Sequence, residues 1–497
     1  MIDIITSTGP LLFAITGWLA GIVMFALVLL FVHDIFQKKH AVLRNFPVVG
    51  HLRYFLERQG EYFRQYFFAN DREEMPFDRA TRSWIYRTAK GLGGIIGFGS
   101  THDTREPGTV IFISSSYPKL EEECTPAVPL VIGPRCDLPY APKHVFNISA
   151  MSYGALSAPA IRALSRGAAE ANVWLNTGEG GLCKYHLEGE CDLIFQIGTA
   201  KYGVRDEDGN LSNLKLREVG QKVRAFEIKI SQGAKPGRGG VLPAVKVTPD
   251  IAEARGIPVG VVSSSPNRHR EIRTAGDLLD MIDRIRSVTG RPVGFKMVYS
   301  SDVFAHQLFE EIHRRGVHSA PDFITIDGGD GGTGAAPQVL ADYAGLPLRE
   351  SLPMFVDSLI QYDLRQHIRV IASGKLVTSA NAAWALCAGA DFVASARGFM
   401  FSLGCIQSMQ CHQDTCPTGI TTHNKRLQRG LVVMEKYKRV ANYAHWVNVE
   451  IDKLAHACGL NNGREFTRDH IRLVLDANRS KVFSELWPYP QPIQFKR

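Results

Sequence analysis

Eight short runs of apolar and β-branched residues, each followed by a stretch of helical texture, dominate this chain from Val145 onward. They fall at 145–149, 172–175, 193–197, 226–230, 292–298, 322–326, 368–372 and 391–394. Near-continuous apolar runs are what parallel strands need when helices cover both faces of their sheet. Eight strand-helix units over about 260 residues match an α/β chain closed into a (β/α)8 TIM-type barrel, although a doubly wound sheet shows similar alternation.

The placement of polar and glycine residues favours the barrel. Barrel chemistry sits at the C-terminal ends of the strands. Here those ends read Ser149-Ala150-Met151-Ser152, Asn176-Thr177-Gly178-Glu179, Lys229, Lys296, Asp327-Gly328-Gly329, Ser373-Gly374-Lys375 and Ser395-Ala396-Arg397. Gly374 with Lys375 and Ala396 with Arg397 follow the seventh and eighth runs, where barrels commonly bind a phosphate. Five glycines within residues 327–334 suit a backbone that must approach a flat ligand closely, with Gly328, Gly329 and Gly332 as candidates.

Outside this region the texture changes. No charged residue occurs between Ile4 and Val32, and residues 10–32 alone would give about 35 Å of helix against a hydrocarbon core of about 30 Å. With no basic n-region and no small-residue cleavage site, the segment reads as a retained transmembrane anchor within residues 1–40. Lys38, Lys39 and Arg44 follow it and no Lys or Arg precedes it, so the positive-inside rule puts the rest in the cytoplasm, on an inner (cytoplasmic) membrane. Residues 41–144 form an extension expected to pack on the barrel. Within it, His51–Phe68 alternates aromatic and basic residues at near-helical spacing, interrupted by Gly60; it could lie against the membrane, but packing on the main domain is the plainer expectation. The barrel is expected over 145–425 and a helical region over 426–497.

The net charge of +8, from 57 basic and 49 acidic residues, is spread without a long basic block or zinc-finger spacing, which argues against a nucleic-acid partner. Of nine cysteines, Cys405, Cys411 and Cys416 crowd into twelve residues, which in a reducing compartment points to metal or cluster ligation before disulfides.

Five runs carry a family resemblance: ISAMSYGALS (148–157), NTGEGG (176–181), IKISQGAKPGRGG (228–240), GGDGGTGAAP (328–337) and GCIQSMQCHQDTCPTGI (404–420). In this order they resemble the FMN-binding synthase domain of glutamate synthases. The resemblance implies FMN, one 3Fe-4S cluster and reductive amination of 2-oxoglutarate. It places Met151, Ser152, Asn176, Thr177 and Lys296 against the flavin, and Gly374, Lys375, Ala396 and Arg397 near its phosphate. It gives the cluster to Cys405, Cys411 and Cys416, the dicarboxylate to Lys229, Lys235 and Arg255, and ammonia to Glu179. Independently, a lysine at a strand end can stabilise the negative charge of a reduced flavin in a dry site. Three thiolates are one too few for an ordinary structural zinc site and suit a cuboidal cluster lacking one iron; zinc held by Cys411, Cys416 and His412 or His423 is the competing metal site.

The departures bear on the substrate. Family members typically continue Pro-Gly-Glu-Gly-Gly-Gln after the lysine at 235, the glutamine helping to hold 2-oxoglutarate; here Arg238 and Val241 replace the glutamate and glutamine, and Ser373 replaces an aspartate. Residue 2 is Ile2, not the cysteine nucleophile of a glutamine amidotransferase, and residues 40–140 lack a dinucleotide fingerprint. Electrons are therefore expected from an external donor, ferredoxin or a reductase subunit. Two functions fit: an enzyme aminating a 2-oxo acid with ammonia or a small amine, as in N-methylglutamate synthases, or a non-aminating membrane-associated flavin and iron-sulfur electron-transfer protein.

Overall fold

The computed structural model describes residues 2–493, with side chains described from Phe13 onward. The chain divides into two compact units, one ending at Thr81 and one beginning at Arg82. The extension expected over 41–144 is thus divided: its first half groups with the N-terminal helix and its second half with the barrel.

In the first unit, α1 (Ile2–Phe36) leads to α2 (Ala41–Asn45) and α3 (Gly50–Phe63), which continues as a wider helical turn through Phe68. Phe13–Phe36 is 24 residues long, and its most apolar stretch has a mean hydropathy of 2.5 with none of it buried. Of the span expected at 10–32, the side chains of residues 10–12 lie outside the described ones. Gly60 does not interrupt α3, since one glycine costs a helix only about 1 kcal/mol.

The second unit contains the barrel. Its strands are β1 (Phe146–Ile148), β2 (Leu175–Asn176), β3 (Leu193–Ile197), β4 (Ala225–Lys229), β5 (Val293–Met297), β6 (Phe323–Asp327), β7 (Arg369–Ser373) and β8 (Phe392–Ser395). All are parallel, each paired with the next in sequence, and Val393 opposite Phe146 closes the ring. The eight expected runs are these eight strands. Burial on both faces explains their apolar continuity, because the interior fills with side chains while helices cover the outside.

Local signals set the covering helices. Ser157 caps Ala158–Ala171 by accepting from the Ala160 amide, and Thr274 with Asp277 forms a capping box on Ala275–Thr289. The floor of the barrel is closed by residues 132–140, where Ile132 bridges Tyr140 and both pack on Trp174, Phe323 and Phe392. The region after 425, expected to be helical, holds a 25-residue helix, Val433–Ala457, and also strands Ile471–Asp476 and Arg479–Val482. These join Val110–Phe112 in a three-stranded antiparallel sheet. The long helix lies close on Ala158–Ala171: a Cβ at Gly167 would fall 2.5 Å from Val440 Cβ.

Candidate active site

Inside the barrel, below its C-terminal mouth, Glu227 is buried and accepts from Asn176 Nδ2 (2.8 Å), Gln196 Nε2 (2.7 Å) and Thr325 Oγ1 (2.6 Å). This network accounts for a buried carboxylate. It also decides the role of Asn176, whose other amide atom, Oδ1, accepts from the Gly178 amide at 3.0 Å. Thr177 Oγ1 accepts from the Gln196 amide and donates to the Gly178 carbonyl. Asn176 and Thr177 therefore brace the wall and do not line the cavity above it.

That cavity, about 1350 Å³ including its open mouth, is bounded by Met151, Ser152, Glu179, Lys229, Lys235, Arg255, Lys296, Gly332, Gly374, Lys375, Ala396 and Arg397, all anticipated from sequence. Gly328 and Gly329 do not line it. A Cβ at Gly328 would fall 2.8 Å from the Leu348 amide nitrogen, and one at Gly329 would fall 2.4 Å from the Gly345 carbonyl carbon. These two glycines let one rim loop seat against another, whereas Gly332 faces the cavity, where a Cβ would meet Arg397 Nε at 2.7 Å.

On one side of the cavity, Lys229 Nζ donates to Glu179 Oε1 at 2.7 Å and also to Gln232 Oε1. Burial works against charge on Glu179, but Lys229, Lys235 and Arg255 override it and carry the carboxyl down to about 2. Burial, reinforced by Lys229 and Arg238 and opposed by Glu179, pushes Lys235 down to about 8. Arg255, on the short helix Pro249–Arg255, donates from Nη1 to Ser263 Oγ (3.0 Å) and from Nη2 to the Tyr153 carbonyl (3.3 Å), leaving its buried Nε without a partner. Val241 and Leu242 add an apolar wall; Arg238 is exposed and does not line the cavity.

Across the cavity, Lys296 Nζ lies 3.2 Å from Asp327 Oδ2, which also accepts from the Gly233 amide at 2.8 Å. Arg397 donates to the Thr333 carbonyl and approaches Cys411 Sγ at 3.9 Å. Seven Lys and Arg side chains line the cavity against two carboxylates, Glu179 and Asp327. This cup fits FMN: it offers phosphate-binding cations at Lys375 and Arg397, Lys296 at a strand end, and a glycine edge at Gly332.

Sequence reasoning missed three neighbours. Gln232 stood within a quoted run but was read only as part of it. Buried His269 holds the Lys229 carbonyl through Nε2 at 3.1 Å. Lys246, also buried, donates to the Cys411 and Thr421 carbonyls at 2.9 and 2.6 Å. No local pattern marks the last two; each acts on a segment far away in sequence.

Cys411 lines the cavity, while Cys405 and Cys416 lie behind it. Burial pushes the Cys405 thiol up to about 11. Among the described residues no three His, Cys, Asp or Glu side chains converge closely enough to hold a metal ion, so the three cysteines share a loop without a closed ligand set. His423 Nε2 is 2.9 Å from the Gly154 carbonyl. The donor chemistry itself, three thiols beside the cations Lys246 and Arg397, fits an iron-sulfur cluster.

Fold and site together define a (β/α)8-barrel enzyme with a strongly cationic catalytic mouth. The model of the conserved region in glutamate synthase matches residues 128–461. The glutamate synthase large subunit-like protein YerD of Bacillus subtilis (strain 168) is 39% identical over 505 residues, covering 93% of this chain and 95% of that protein. The chain belongs to the glutamate synthase family, and it is an oxidoreductase. The archaeal glutamate synthase (NADPH) of Methanocaldococcus jannaschii is 34% identical over 333 residues, covering 66% of this chain but only 62% of its own length. Among solved structures, the recombinant flavin-binding domain of baker's yeast flavocytochrome b2 aligns over 85% of this chain and 87% of its own at 14% identity, with a TM-score of 0.46.

Proposed function

We propose that this protein is a membrane-anchored, FMN-dependent enzyme that reductively aminates 2-oxoglutarate or a related 2-oxo acid with ammonia or a small amine, giving L-glutamate in the simplest case. The observation that carries this reading is the pairing of Glu179 with Lys229 at 2.7 Å in a cavity that also holds Lys235 and Arg255. One anionic group stands among cations, as needed to receive ammonium beside a dicarboxylate.

The charges match the ligands. Seven cations against two carboxylates leave five positive charges, enough to offset a phosphate and a dicarboxylate, about four negative charges together. Lys375 and Arg397 would hold the FMN phosphate, with Met151, Ser152 and Lys296 bordering the ring. When bound, FMN supplies hydride to the C=N bond formed from the 2-oxo acid and ammonia, which loses water as it forms. Glu179, ionised throughout the physiological range, binds the incoming ammonium. Lys235 and Arg255 orient the carboxylates, and the wall at Leu156, Val241 and Leu242 excludes water.

Cys405, Cys411 and Cys416 would hold a 3Fe-4S cluster that passes electrons from an external donor, ferredoxin or a reductase subunit. The exposed apolar helix Phe13–Phe36, followed by Lys38, Lys39 and Arg44, supports a single span of the cytoplasmic membrane with the barrel inside. A small primary amine, such as methylamine, is the alternative nitrogen donor. The test is turnover by the detergent-purified full chain with reduced ferredoxin or dithionite. Glutamate or N-methylglutamate should appear only when 2-oxoglutarate and the nitrogen source are both present. A protein whose flavin is reduced but forms neither product is not this enzyme.

A further inference from the structure

Beyond α1, the first unit carries a second apolar surface. At helical spacing, Leu52, Phe55, Leu56, Tyr62, Phe63, Tyr66 and Phe67 share about 140° of arc on α3 and its extension. All are exposed, between 48 and 75%. Arg53, Glu57, Arg58, Glu61 and Arg64 take the opposite side. Gln59 falls within this arc, and a face otherwise so aromatic needs a partner.

Its direction is fixed by an elbow to α1. Asp34, in the last turn of α1, is fully buried; its Oδ2 accepts from the Val48 amide at 2.9 Å, and His51 Nε2 lies 3.0 Å from both of its oxygens. Val48 is held at φ +64, a costly conformation for a β-branched residue. Gln37 closes the turn by donating to the Asp34 and His40 carbonyls, and His40 meets Tyr54 edge-on at 5.5 Å. The start of α3 is therefore tied to the end of the apolar helix by buried polar contacts.

We propose that α3 and its extension lie in the headgroup region of the cytoplasmic leaflet, with the Leu52–Phe67 face in the acyl boundary, as a second membrane contact. This rests on the reading of α1 as a span. Two features of the unit select a bilayer as the occupant. The end of α1 and the elbow expose further large apolar side chains, Phe36, Phe46 and Val49, and residues 38–64 carry Lys38, Lys39, Arg44, Arg53, Arg58 and Arg64 against Glu57 and Glu61, a surplus of four positive charges suited to anionic headgroups. Tyrosines at the margin and arginines that can snorkel are the side chains an interfacial helix uses.

The full chain, reconstituted into vesicles of phosphatidylglycerol and phosphatidylethanolamine, tests this with the photocrosslinker benzoylphenylalanine placed singly at Phe25, Phe55, Phe67 or Arg58. Lipid adducts, read by mass, are expected at Phe25, Phe55 and Phe67, with a yield at Phe67 about fivefold or more above that at Arg58. Lipid adducts at Phe25 alone, with Phe67 crosslinked to its own chain or to a second copy, overturn the interfacial helix and leave the span standing. Absence of lipid adducts at Phe25 overturns the span and this inference together.

Discussion

Lys229 Nζ and Glu179 Oε1, fifty residues apart in sequence, meet at 2.7 Å on one side of the barrel mouth. Each answers the other's desolvation cost, and neither is cheap to keep alone. Glu179→Gln leaves Lys229 facing a neutral amide and is expected to cost about 3 kcal/mol of stability at neutral pH, read by urea unfolding. The folded-state carboxyl lies at about 2, below its ordinary value of 4.5, so its contribution is complete above that ordinary value and is lost as pH falls through about 2. The gap between wild type and variant should therefore narrow with acid. The same variant should raise the ammonium KM far more than the 2-oxo acid KM; equal changes in both would remove the ammonium role.

Lys235 carries the expected pH dependence of substrate binding. Its ammonium, at about 8, is charged below that pH and neutral above it. Affinity for 2-oxoglutarate should be full below about pH 8 and fall as pH rises through it. Lys235→Met removes a charge-assisted contact worth about 1.5–3 kcal/mol, weakening binding roughly ten- to hundredfold and flattening the profile. Flavin absorbance titrated with 2-oxoglutarate measures both effects, while flavin content should stay unchanged.

Val241 lines the same cavity and is partly exposed, and Arg238 is exposed and is not among the residues lining it. Val241→Gln adds an amide that can donate to the substrate, and one such bond, about 1 kcal/mol, should tighten 2-oxoglutarate binding about fivefold. Unchanged affinity in this variant and in Lys235→Met together would show that 2-oxoglutarate is not the ligand.

The cofactors separate by mutation. Protein purified in detergent is expected to be yellow-brown, to release FMN and not FAD on denaturation, and to contain about three irons per chain when kept anaerobic. Cys411→Ser should remove the iron while leaving most of the FMN, because Lys375 and the strand-end glycines of the phosphate side do not depend on the sulfur. Because Arg397 lies 3.9 Å from Cys411 Sγ, a modest loss of FMN affinity is expected. Stoichiometric zinc without iron would support the competing metal site.

The sequence by itself determined the parts whose signal is local. Eight buried parallel strands appear as apolar runs because both their faces are covered, and the long apolar N-terminal helix appears as an uncharged stretch. Of the cavity-lining cations, Lys229, Lys296, Lys375 and Arg397 were legible because residues at the end of a barrel strand sit at its mouth, and Lys235 and Arg255 through the family resemblance; Lys246 was not. Tertiary structure alone decided which of those residues face the ligand. Asn176 and Thr177 end a strand like the others, yet the buried carboxylate of Glu227 and the amide of Gln196 claim their polar atoms. Gly328 and Gly329 signal a close approach, but only the fold shows that Gly345 and Leu348 come close to them. Lys246 and His269 carry no local mark, because their partners lie on segments up to 175 residues away. Periodicity reports whether a side chain is buried. Which polar atom meets it there depends on long-range convergence, and that is set only when the barrel closes.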